Sequence, residues 1–220
     1  MINNIYYPII SIPLIDFTLC KCFGNKARWF QLHSAINFLI VYIIKDDVYN
    51  LLYSPYKIFE LKSYDDLYYI CYLHLYHILF FKNSRMDYFH HIFFVFFGAL
   101  PIYYFYNLNV IRLATFSGCG LPGAIEYFTL SLVKNNNLHS IRQKVIMSYI
   151  YNYFRYPFGI LASSIIYYNH SNGLTHNISN NIIFYVILMI YLNSGFYNKL
   201  IIENTIHTYH KINKNYILKN

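Results

Sequence analysis

The chain has 220 residues, a length that fits one domain. Hydrophobic residues make up 57% of it and charged residues only 12%, about half the charged share of an average soluble domain. That balance excludes an ordinary water-facing surface, and the aromatic content of 21%, mostly Tyr and Phe, suits a lipid environment with Tyr at its two interfaces. The net charge of +8 does not point to nucleic acid, because the basic residues stand between apolar runs and form no stripe.

Seven apolar segments follow one another: Ile5–Leu19, Trp29–Ile44, Tyr64–Phe81, Tyr88–Tyr106, Leu113–Val133, Val145–Tyr168 and Ile182–Ile202. Most approach the ~20 residues that a helix rising 1.5 Å per residue needs to cross a bilayer core. The expected fold is therefore all-α, a polytopic transmembrane helix bundle of about seven spans. The first segment is the weakest, since Pro8, Pro13 and Asp16 interrupt it, and it carries no basic n-region of a cleavable signal peptide. Residues 1–28 form an N-terminal apolar segment with a basic loop, 29–204 the membrane domain, and 205–220 a basic tail. The cysteines (Cys20, Cys22, Cys71, Cys119) have neither zinc-site nor disulfide spacing, and Cys20 and Cys22 read as free thiols at a membrane edge.

The loops set an orientation. Alternate loops and the C-terminus place twelve Lys and Arg on one side and four (Lys45, Lys57, Lys62, Arg112) on the other, with Arg155 inside a segment. The positive-inside rule then predicts a cytoplasmic C-terminus and a lumenal N-terminus. The two Asn-x-Ser/Thr sequons, at Asn169 and Asn177, fall together in a loop without Lys or Arg on the predicted lumenal side. An endoplasmic reticulum membrane, or a related internal one, is the expected location.

Ionisable residues inside apolar spans are costly and mark candidate sites. His74 and His77 lie near the cytoplasmic end of the third segment and share a helix face. Asp87, His90 and His91 open the fourth from the same end. The adjacent histidines should point about 100° apart on an α-helix, too far to face one small site together. Glu126 sits about 10 Å deep in the fifth segment and Arg155 about 15 Å deep in the sixth, and their simplest reading is a compensating ion pair. Asn193 lies midway along the seventh. The run Ser117-Gly118-Cys119-Gly120, followed by Pro122-Gly123, predicts either an interrupted helix that lines a cavity or a close helix contact through small residues.

Several short stretches, in order, resemble the TLC-domain family, which includes the ceramide synthases. They are Ser63-Tyr64-Asp65-Asp66-Leu67, Arg85-Met86-Asp87-Tyr88-Phe89-His90-His91, Glu126-Tyr127-Phe128, Asn152-Tyr153-Phe154-Arg155 and Leu192-Asn193-Ser194-Gly195-Phe196. The resemblance spans roughly Trp29 to Asn204. It implies a six-helix core preceded by an N-terminal span, a site open toward the cytoplasm, and an acyl-transfer position at His90 and His91. The chain departs from the synthases in having Asp87 only three residues before His90, and Ser117-Gly118-Cys119-Gly120 where a His-Asp motif belongs. Both departures resemble the branch linked to membrane lipid composition.

The expected function is accordingly the binding or handling of lipid or fatty acyl chains, with membrane lipids as partners. His74, His77, Glu126, Arg155 and Asn193 would line or support the lipid cavity. The enzymatic alternative is an N-acyltransferase that joins an acyl-CoA co-substrate to a sphingoid base, with His90 or His91 as base or nucleophile and Asp87 beside them. No other cofactor and no metal is expected on that reading. A second alternative is a di-iron lipid hydroxylase drawing on His74, His77, His90, His91, His207 and His210.

Overall fold

The computed structural model describes residues 5–175 and 177–217, with side chains described through Lys211. The described residues form seven helices and no strand, with only an isolated antiparallel bridge between Glu60 and Leu108. The helices are α1 (Tyr6–Phe23), α2 (Arg28–Tyr53), α3 (Asp65–Phe80), α4 (Arg85–Phe105), α5 (110–134), α6 (140–171) and α7 (Asn180–Ile217). Each coincides with one predicted apolar segment. The division at residue 205 does not appear as a break: α7 runs through it, so the start of the basic tail continues the last helix.

Helix ends follow local chemistry. Ser84 and Asp87 form a reciprocal capping box at the start of α4, each side chain binding the other's backbone N–H. Asp65 and Asp66 stand in the first turn of α3, where the helix dipole favours negative charge. Gly24 stops α1 and Gly173 follows α6 with φ of 76° and 74°, a backbone that side chains with a Cβ resist.

Helices α4, α5 and α6 share a feature that places the site. Each contains a π-helical stretch, at His90–Ala99, Phe116–Gly120 and Tyr151–Arg155. Each stretch ends just before a proline: Pro101, Pro122 and Pro157. Proline has no N–H and its ring crowds the carbonyl four residues earlier, so the ladder there cannot keep its ordinary register. The N–H groups of Leu100, Leu121 and Tyr156 bond five residues back, to Val95, Phe116 and Tyr151. The wider turn absorbs the proline without breaking the helix.

Six helices form a ring. α2 packs between α3 and α5, α4 follows α3, α7 follows α4, and α6 fills the gap between α7 and α5. α1 lies outside the ring against α2 and α3. Its Asp16, which interrupts the apolar run, is buried and fixes it there: the carboxylate accepts from Arg28 of α2 and, at 2.8 Å, from the Tyr76 hydroxyl of α3. The small residues of α5 serve the ring contact. A Cβ on Gly120 would lie 3.1 Å from Val41, and one on Gly123 2.7 Å from the Asn37 amide, so α2 approaches α5 closely there. Gly159 of α6 likewise faces Ser194 of α7 with no room for a Cβ.

Candidate functional site

A partly open cavity of about 110 Å³ lies among α3, α4, α5 and α7. Most of its wall is apolar, including Ile70, Phe94, Val95, Ile102, Ile111 and Met189. Its polar lining comes from His74, His90, Tyr103, Thr115, Cys119, Asn193 and Ser194. Gly118 opens onto it opposite the Asn193 carbonyl, so the interrupted stretch of α5 lines the cavity with one glycine and packs on α2 with its neighbours.

The histidine end of this cavity brings together four residues expected from sequence. His74 Nδ1 lies 2.6 Å from the Ile70 carbonyl, which can only accept, so the proton sits on Nδ1 and the neutral ring keeps a lone pair on Nε2. His90 Nε2 is 3.1 Å from that lone pair and donates to it. The Tyr197 hydroxyl, 2.5 Å from His90 Nδ1, then donates to the remaining ring nitrogen. Beside this chain, His91 Nε2 lies 3.1 Å from His77 Nδ1, and His91 Nδ1 is buried without a hydrogen-bond partner.

Of His90 and His91 only His90 lines the cavity, as their expected divergence implies, yet both join one cluster of rings. Their ring centroids are 5.6 Å apart, and both rings lie near His74, at 5.1 and 4.9 Å. His74 of α3 stands between the two directions, so both rings reach it from the same turn of α4.

Asp87 has a structural task, and the expected ion pair of Glu126 with Arg155 is corrected. Asp87 does not join the histidines through a hydrogen bond; its carboxylate accepts the Ser84 N–H at 2.7 Å and caps α4. Glu126 and Arg155 make no direct ion pair. The Tyr151 hydroxyl stands between them, donating to Glu126 and accepting from Arg155 Nη1 at 2.8 Å. Arg155 Nη2 donates to Asn193 at 2.9 Å, which links α6 to the cavity wall on α7, and the guanidinium also lies over the Tyr197 ring, 4.5 Å from its centre. Arg155 and Tyr151 sit four residues apart across a π-helical turn, a spacing that places both toward the same neighbours.

Sequence reasoning passed over His33. It is buried on α2, 5.5 Å from His74 between ring centroids, and stacked on Tyr127 at 3.9 Å. A depth count along the second segment finds it, since it stands four residues inside Trp29 just as His77 stands four residues inside Phe81. Trp29 stacks on His77 at 3.5 Å and closes the cluster from outside. His207 and His210 lie apart from it, exposed on the far end of α7. Arg112, counted above as a loop charge, is buried at the opposite end of the ring, paired with Asp47 and Asp66. Asn169 is also buried, its amide 3.4 Å from the Pro55 carbonyl, and so is closed to glycan transfer in this fold.

No family model, curated protein or solved structure matches this chain.

Proposed function

We propose that this protein is a polytopic membrane protein, of the TLC-domain kind, that holds an acyl chain or another lipid tail inside the ring of α2 to α7. The carrying observation is the apolar-walled cavity within that ring, which ends on His74 and His90. The wall matches a tail in its apolar chemistry, with the length beyond the cavity leaving by its open side, and the imidazoles supply hydrogen bonds to the polar group at its end.

The burial pattern supports lipid as the solvent. Large apolar side chains stand exposed on every helix in addition to those in the apolar core, while several ionisable ones are buried, a surface that water does not favour. On α1, Ile10, Leu14 and Phe17 are exposed and Asp16 is buried; on α4, Ile92, Phe96 and Phe97 are exposed and His91 is buried. Two helices, Arg85–Phe105 and Asn180–Lys211, are long and apolar enough to cross a membrane. Our reading extends this to about seven spans in an internal membrane, with the C-terminus and the histidine end cytoplasmic, on the charge asymmetry of the loops. Burial of Arg112 lowers the count on the sparse side from four to three.

Purification in mild detergent, followed by mass spectrometry of bound lipid, tests the reading. The wild type should carry a defined set of acyl lipids. Ala114→Phe, which projects a ring into the cavity, should insert and fold but lose most of that lipid. Equal lipid in both proteins would place any bound lipid outside the ring and defeat the proposal.

Acyl transfer is the second reading, favoured by one observation: His90 faces the cavity with its orientation fixed by Tyr197. It requires product from acyl-CoA and a sphingoid base with wild-type protein, lost in His90→Ala. The absence of the His-Asp motif leads us to expect no product.

A further inference from the structure

We propose that His74, His90 and His91 form a binding site for one divalent transition-metal ion of the zinc or ferrous-iron class. One ring nitrogen from each of the three residues lies within 4.8 Å of those from the other two. Three imidazoles around an ion at ~2.0–2.1 Å are a common nitrogen ligand set for such metals. Drawing the three nitrogens into that shell requires side-chain shifts of about an ångström, with no change of helix register.

The partners of the other ring nitrogens strengthen the assignment. A ligating histidine needs its second nitrogen held by an outer group, which fixes the tautomer and the ring plane. All three rings have one. His74 Nδ1 donates to the Ile70 carbonyl at 2.6 Å, which leaves Nε2 as the ligand atom. His91 Nε2 reaches His77 Nδ1 at 3.1 Å, which leaves Nδ1, a buried atom with no other partner. His90 Nε2 donates to His74 in the metal-free network. On binding, the His90 proton moves from Nε2 to Nδ1, where the Tyr197 oxygen accepts it. The ring stays neutral and Nε2 is freed for the metal.

Neutral imidazoles leave the ion's two positive charges uncompensated inside the ring, and the nearby guanidinium of Arg155 adds to them. An anionic fourth ligand follows: hydroxide, or the carboxylate of an acyl lipid lying in the cavity beside Asn193 and Ser194. A carboxylate there would give the cavity a preference for free fatty acids over esters. The site does not rest on the lipid reading, since metal occupancy is measured without lipid. It does compete with acyl transfer, because a metal-bound His90 Nε2 is no longer free to attack.

The test uses full-length protein purified in detergent with a tag that contains no histidine. The protein is stripped with chelator, equilibrated with excess Zn²⁺ or Co²⁺, desalted, and analysed for metal and by X-ray absorption at the metal edge. One ion per chain is expected, with imidazole scattering from three ligands at about 2.0 Å. Each of His74→Ala, His90→Ala and His91→Ala should lose most of the metal. Tyr197→Phe should bind 10–100-fold more weakly, and His207→Ala with His210→Ala should bind as the wild type does. Folded wild type that retains no metal overturns the proposal. So does an absorption spectrum without imidazole scattering, a reading that stands even where a histidine variant fails to fold. Metal lost only with His207 and His210 would assign it to the surface and also overturn the site.

Discussion

The two ends of the ring bury polar groups in opposite ways. At one end Arg112 meets the carboxylates of Asp47 and Asp66, its second amino group also reaches the Ser63 carbonyl at 3.0 Å, and the Tyr103 hydroxyl donates to Asp66. Opposite charges face each other there, and Thr115 completes the chain, 2.9 Å from Tyr103. At the other end five buried or half-buried histidines (His33, His74, His77, His90, His91) gather with no carboxylate hydrogen-bonded to any of them among the described residues. Nδ1 of His33 and Nδ1 of His91 are buried with no hydrogen-bond partner. A cation held between two carboxylates ties the helices that carry them, because parting them would strand a buried charge. A cluster of neutral donors and acceptors with lone pairs left over has capacity for something else, a ligand or a metal. The comparison marks the histidine end as the working end and the arginine end as the fastening.

Breaking the fastening should have the largest effect. Arg112→Met strands Asp66, which is fully buried, beside a second carboxylate, and should cost about 3–5 kcal/mol. Thermal unfolding in detergent reads the loss, and adding Asp66→Asn should restore part of it. An Arg112→Met protein as stable as wild type would refute the fastening role.

The bridge at mid-ring should matter less. Tyr151→Phe removes the hydroxyl that joins Glu126 to Arg155 and should cost about 1–3 kcal/mol. In the wild-type background Glu126→Gln and Arg155→Met should be non-additive; in the Tyr151→Phe background their coupling should largely disappear. Unchanged coupling without the hydroxyl would mean that the two charges interact directly.

The smallest effect separates capping from chemistry at the histidine end. Asp87→Ala should lower stability by about 1 kcal/mol through the lost cap of α4 while leaving bound lipid and bound metal unchanged. Loss of either ligand at full stability would return Asp87 to the site.

Much of this protein is legible one residue after another. The seven apolar segments are the seven helices because backbone polar groups packed among apolar side chains must pair within their own segment. His74, His77, His90 and His91 announce themselves because ionisable groups are rare in apolar runs. Depth along a helix follows from counting, and counting would have found His33 as well. Partnership does not follow from counting. Glu126 and Arg155 are opposite charges at compatible depths, yet a tyrosine lies between them, and Arg112 reads as a loop cation until α2 and α3 bring Asp47 and Asp66 to it.

Composition and the lengths of the apolar runs by themselves determined that the described residues are helical, where each helix lies, and that His74, His77, His90 and His91 fall toward one end. The tertiary structure decided that six helices close a ring with α1 outside, that Asp87 caps a helix, and that His90 and His91 join one cluster. That last outcome rests on where a third side chain stands: His74 of α3 lies 5.1 and 4.9 Å from the two rings and gathers both into one cluster. The angle between neighbouring side chains follows from residues per turn, but which group of another helix fills that angle is set only by packing.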